Sequence, residues 1–149
     1  MTTFFCTPCE SFTCEKIQFT IATALVIRNR EKNKILMKKG KSTEKWQFIG
    51  GRYDDKMSFR ENAENYAEKI LGHKNTKILN KEEPILLFDT IDLKGYDEKT
   101  LLIHYLAEIE DEKNIGTAEW KTLEEIRMIH AKNQASSDNV HIIAEKYLK

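Results

Sequence analysis

The sequence predicts an α/β/α sandwich, a mixed β-sheet flanked by helices. Three observations lead there. Several strand-length segments are apolar on both faces, so the sheet they build is covered on both sides. Helical periodicity is confined to separate stretches, two of them opened by capping boxes. The elements follow one another as strands, helix, strands, helix, helix, which suits layered packing around one sheet.

Residues 1–15 fall outside the repeating pattern and read as a cysteine-containing N-terminal arm, leaving 16–149 as a single domain. The domain opens with "KIQFTIATALVIR", where Ile17, Phe19, Ile21, Leu25 and Ile27 alternate with strand period. Ala22, Ala24 and Val26 make its second face apolar as well. "NREKNK" reads as a polar turn into "ILMKK", a hairpin partner for the first strand. After the loop "GKSTEK" comes "WQFIGG", a short apolar piece stopped by two glycines. Ser58 and Glu61 then form a capping box for a helix whose stripe is Ala63, Tyr66, Ala67, Ile70 and Leu71, and Gly72 ends it. "PILLFDTI" and "TLLIHYLAEI", joined by the turn-rich "DLKGYDEK", predict an antiparallel pair. Thr122 and Glu125 open a second capped helix with Leu123, Ile126 and Ile129 inward. A last helix offers Ile142, Ile143, Tyr147 and Leu148 for burial.

Bulk properties narrow the function classes. A chain of 149 residues with 40% hydrophobic content supports one ordinary core. Its 24 basic and 24 acidic residues exclude a broad basic nucleic-acid face, while leaving room for a local patch. No apolar run has membrane-spanning length, and "MTTFFCTPCESFTC" lacks the basic start and apolar centre of a secretory signal. An intracellular, cytoplasmic location is therefore expected. Cys6, Cys9 and Cys14 crowd into the arm. The Cys6–Cys9 spacing suits zinc or a redox pair, and a zinc site would draw a fourth ligand from His73, His104, His130, His141 or a partner chain. Reduced thiols in an arm are the plainer alternative.

The run "KWQFIGGRYDDKMSFRENAENYAEKILGH", Lys45 to His73, resembles the signature of the Nudix family, hydrolases of a nucleoside diphosphate linked to another group. That signature reads Gly-x5-Glu-x7-Arg-Glu-U-x-Glu-Glu-x-Gly-U, with U a bulky apolar residue, after a Trp and a Pro-Gly-Gly. With Gly51 on the first glycine, Gly72 falls on the second without a gap, and "AEWKTLEEI" and the final helix also look like the family. The resemblance implies a Nudix-like sandwich and, where the signature is intact, a loop and helix that hold magnesium or manganese against a pyrophosphate.

The signature here is degenerate. Ile49 replaces the Pro, Met57 the first Glu and Asn65 the Arg, while Tyr66, Lys69 and Ile70 replace the carboxylates of the helix, and His73 ends it. Hard dications need several oxygen donors on one face. Tyr66 is not a hard anionic ligand, Ile70 cannot coordinate, and Lys69 adds positive charge. Glu61, Glu64 and Glu68 share a face, but Glu64 and Glu68 stand two residues before Tyr66 and Ile70, a rotation of roughly 200°. Asp54, Asp55 and Glu119 are the remaining candidates for a catalytic carboxylate.

The expected outcome is a Nudix-fold protein without metal-dependent hydrolysis, acting as a nucleotide- or RNA-binding protein or as an assembly protein, with no cofactor in the Nudix pocket. The Gly50-Gly51 turn and the helix start at Ser58 can offer backbone N–H groups to phosphate. Arg52 and Lys69 can balance its charge, and Trp46 or Tyr66 can stack on a base. Trp46 reads equally well as core, and Tyr66 with Ile70 as apolar infill. The aromatic, cysteine-bearing arm suits a protein partner or a homodimer. The alternative is an active hydrolase of nucleoside diphosphate derivatives that uses magnesium or manganese on non-canonical carboxylates.

Overall fold

A computed structural model describes residues 2–5, 16–41, 43–93 and 96–148. In chain order these form β1 (Thr2–Phe5), β2 (Lys16–Ile27), β3 (Lys34–Lys39), β4 (Trp46–Gln47), β5 (Ile49–Arg52), α1 (Phe59–Leu71), β6 (Thr76–Ile78), β7 (Ile85–Leu93), β8 (Tyr96–Ile109), β9 (Glu119–Thr122), α2 (Leu123–Ala131) and α3 (Asn139–Tyr147). At the centre β2 runs parallel to β8. Antiparallel β1 and β5 join β2, and antiparallel β6 and β7 join β8. A smaller sheet has the order β4-β3-β9. The mixed sheet flanked by helices is the predicted α/β/α arrangement, and β7–β8 is the expected antiparallel pair.

Alternation along β2 and β8 sorts their side chains into two cores. Ile21, Leu25 and Ile27 of β2, with Ile103 and Tyr105 of β8, pack beneath Ala63, Ala67 and Leu71 of α1. Val26 and Leu106 pack on the other side beneath Ile126 and Ile129 of α2 and Val140 and Ile143 of α3. Each large aliphatic side chain so covered contributes about 1.5–3 kcal/mol, which explains why these strands read as continuous apolar runs.

Two details differ from the sequence expectation. β2 and β3 are not a laddered hairpin. They share one bridge, Arg28 to Ile35, and β3 then leaves to pair with β4 and β9. The Asn29 side chain takes the N–H groups of Asn33 and Lys34 at 3.0 and 2.9 Å, and Lys32 is left-handed at φ 61°. A side-chain turn thus replaces the ladder and redirects the strand. In α3, Ile142 is 56% exposed; Val140, Ile143 and Ala144 carry the buried face. No helix among the described residues is long and apolar enough to cross a membrane.

α1 forms where its caps place it. Ser58 accepts from the Glu61 N–H, Glu61 reaches back to the Ser58 N–H, and Gly72 closes the helix at φ 82°. One polar residue is buried in it. Asn62 donates to Thr23 Oγ1 at 2.6 Å and to the Arg52 carbonyl at 3.2 Å, and accepts the Asp54 N–H at 3.0 Å. It ties α1 to β2 and to the loop that follows β5. Asn62→Leu leaves three groups unpaired, and the expected loss is about 3 kcal/mol, read from the urea midpoint. A loss below about 1 kcal/mol would show that the loop is held by other contacts.

Candidate functional site

The β5–α1 junction is built by two glycines with different tasks. Both lie inside the β2–β5 ladder, Gly50 opposite Ala24 and Gly51 opposite Thr23, rather than in an open turn. A Cβ on Gly50 would stand 2.0 Å from the Thr23 carbonyl oxygen, so this glycine allows the two backbones to approach. A Cβ on Gly51 would stand 2.5 Å from the Tyr66 ring, which lies directly on that glycine. Lys69 Nζ is 5.5 Å from the ring centroid, within cation–π range. Ile70 packs against the core on the same side of α1.

The carboxylates of α1 point elsewhere. Glu61 is engaged in the cap, Glu64 pairs with Arg60 at 3.4 Å, and Glu68 pairs with Lys74 at 3.8 Å, all on the solvent side. Asp54 caps the turn through the Lys56 N–H at 3.0 Å, and Asp55 is exposed beside it. Glu119 is exposed on β9, opposite Met37 of β3. Among the described residues no three His, Cys, Asp or Glu side chains converge to hold an ion. Toward β5 and the core α1 turns the Tyr66 phenol and the Ile70 sec-butyl group, with the exposed Lys69 ammonium 5.5 Å from the Tyr66 ring centroid, a set that does not fit a hard dication.

The other predicted residues divide as follows. Ser58 is committed to its cap. Trp46 is 8% exposed, with Lys121 Nζ at 4.2 Å and Lys39 Nζ at 5.3 Å from its ring centroid, so its faces are covered. Gly50, Gly51 and Arg52 border a cavity, while Tyr66 stands over Gly51 with Lys69 beside its ring. Cys6, Cys9 and Cys14 lie outside the described residues. Of the histidines weighed as a fourth zinc ligand, His73 bonds the Asn114 carbonyl, His104 is buried, and His130 and His141 stack on each other 4.5 Å apart.

That cavity, of about 170 Å³ and on the α3 side of the sheet, was not anticipated from the sequence. Its floor is Thr20, Ala22 and Ala24 of β2 beside Thr100, Leu102 and His104 of β8, which stand in register across the parallel pair. The alanines leave the room that larger side chains would fill. Gln47, Phe48, Ser137 and Val140 supply walls, and Lys45 and Arg52 supply positive charge. His104 is 4% exposed, and its Nδ1 has no hydrogen-bond partner. Burial lowers its pKa from 6.5 to about 4, against the opposing pull of a hydrogen bond to the Ile85 backbone. The ring is therefore neutral at pH 7. The only sequence signals were the small residues of "TIATA" and a histidine inside an apolar strand.

Solved structures share this architecture. The Ap4A hydrolase of C. elegans matches with a TM-score of 0.66 and 17% identity, over 87% of this chain and 96% of that one. A NUDIX hydrolase from Nitrosomonas europaea matches at 0.64 and 16%, over 87% and 88%. This chain has the Nudix fold. The E. coli dihydroneopterin triphosphate pyrophosphohydrolase matches at 0.63 and 12%, over 87% and 97%. No family model and no curated protein matches the chain. The glycines, the loop 52–58 and α1 of this Nudix fold are the segment that resembles the family signature.

Proposed function

We propose that this chain is a nucleotide-binding protein of Nudix fold that does not hydrolyse its ligand. The observation that carries the reading is the Tyr66 ring seated on Gly51, with Lys69 beside it and Ile70 one turn further along α1. An ammonium and apolar groups occupy the face from which carboxylates would have to coordinate a dication. The cavity supports the binding half of the reading. It is largely apolar inside and bordered by Lys45 and Arg52, an arrangement that suits a flat base within and phosphate at the edge. The solved neighbours include proteins named as an Ap4A hydrolase and a dihydroneopterin triphosphate pyrophosphohydrolase, and this chain would share their class of ligand without their chemistry.

A thermal-shift series with nucleoside di- and triphosphates, each with magnesium or with chelator, tests this. The expected result is a rise of several degrees with at least one nucleotide in chelator, since a ligand at about a hundred times its Kd adds about 2.7 kcal/mol. A rise that needs magnesium would favour the hydrolase alternative. No rise with any nucleotide, together with a mass that grows with concentration, would favour an assembly role with a protein partner or a second copy.

A further inference from the structure

We infer that the β3–β4 hairpin is a docking surface for the phosphates of a single-stranded nucleic acid, one base of which enters the cavity. The place of the base rests on the nucleotide reading above; the docking surface goes beyond it.

Charge balance over the whole chain conceals a local excess. Residues 32–45 hold six lysines and one glutamate, in a chain of 24 basic and 24 acidic residues. The arginines just before this run are engaged elsewhere, Arg28 with the Tyr147 carbonyl and Arg30 with the Glu110 carbonyl. The lysines at the hairpin tip are not neutralised. Among the described residues no carboxylate forms an ion pair with Lys38, Lys41 or Lys45. Lys39 reaches over the Trp46 ring, and Glu44, the acid of the run, is exposed in the turn. Unpaired surface cations gathered in this way attract a polyanion.

Position joins this charge to the cavity. Lys38 stands opposite Gln47 across the β3–β4 pair, and directly opposed residues of a ladder share a face. Gln47, Lys45 and Thr43 all line the cavity. The Gly40 N–H donates to the Lys45 carbonyl at 2.9 Å and closes the turn that carries Lys41. A phosphate chain leaving the cavity mouth thus passes Lys45 and continues onto Lys38 and Lys41. The cavity, about 170 Å³, takes one ring system and not a whole nucleotide. Only an unstacked base can enter it, which selects a single strand over a duplex. An acidic peptide matches the charge, but an anion joined to a flat ring at every residue is a property of nucleic acid.

Fluorescence anisotropy of the full chain in chelator, with a labelled short RNA as single strand and as duplex, tests the inference. The single strand is expected to bind at least about tenfold tighter than the duplex. Its log–log salt slope is expected near about −2, from three lysines at about 0.7 each. Lys38→Glu/Lys41→Glu should weaken the single strand at least about tenfold and flatten that slope, while the thermal shift with a mononucleotide persists and shows the variant folded. Lys74→Glu/Lys77→Glu, the same charge change beside and on β6, should leave both readings unchanged. A wild-type slope near zero would overturn the inference whether or not the variants fold. Duplex bound as tightly as the single strand would overturn it too, as would poly-glutamate binding equally well, which would point to an acidic protein partner. If no mononucleotide shifts the protein but the single strand still binds through Lys38 and Lys41, the nucleotide reading fails and the docking surface stands.

Discussion

Gly50→Ala is expected to cost at least about 3 kcal/mol or to prevent folding. The added methyl would stand 2.0 Å from the Thr23 carbonyl oxygen and 2.6 Å from the Ala24 Cα. Both are backbone atoms of β2, one of the two central strands, and neither can rotate away. Gly72→Ala is the control. It has a left-handed φ of 82° but nothing within 4 Å of the new methyl, so only the conformational penalty of about 1 kcal/mol applies. Gly51→Ala lies between them, because its obstacle is the Tyr66 ring, which can swing. Combining Gly51→Ala with Tyr66→Ala is expected to cost less than the two single changes together. Urea denaturation reads all five variants. A Gly50→Ala protein as stable as Gly72→Ala would mean that β5 does not press on β2 as described.

Acidification is expected to remove about 3 kcal/mol of stability through His104 alone. In the unfolded chain the imidazole takes a proton near pH 6.5; in the fold, burial delays this to about pH 4. Between those values the unfolded state binds the extra proton, so stability falls as pH falls. At about 1.4 kcal/mol per pH unit, the interval amounts to about 3 kcal/mol. The contribution is fully present above pH 6.5. Glu145, held below its usual range by hydrogen bonds and charge from Arg127, contributes stability that is lost only below its ordinary value of 4.5, so the upper part of the window belongs to His104. Urea midpoints from about pH 7.5 to about pH 4.5 should descend in the wild type and flatten in His104→Phe. A wild-type profile without that descent would place His104 in a wetter setting than its burial indicates.

The parts of this fold that were legible from sequence are those whose cause is local. The alternation of Ile21, Leu25 and Ile27, the Ser58–Glu61 box and the Gly72 stop each act within a few residues, and each formed as read. The redirection of β3 escaped because Asn29 looks like any turn residue until its side chain is seen holding two backbone N–H groups. The outward turn of Ile142 follows from how α3 settles on α2, which periodicity over nine residues fixes poorly. At the site, the presence of Tyr66, Lys69 and Ile70 rather than carboxylates on this stretch of α1 was legible, since it needed only residue types and the span of the helix. The cavity was not. Ala24 and His104 are eighty positions apart and become neighbours only through a parallel pairing that neither announces. Gly50 is similar: its identity suggested a phosphate turn, and its neighbour Thr23 gives it a steric reason instead.

The measurement closest to the central claim is a product assay. The full chain is incubated with nucleoside diphosphate derivatives and manganese, and released mononucleotide and phosphate are followed by chromatography beside a chelated control. The account predicts equal, background-level product in both, with the nucleotide still bound in chelator. Release that manganese supports and chelation abolishes would contradict it and favour a hydrolase that seats its dication on carboxylates away from Tyr66, Lys69 and Ile70.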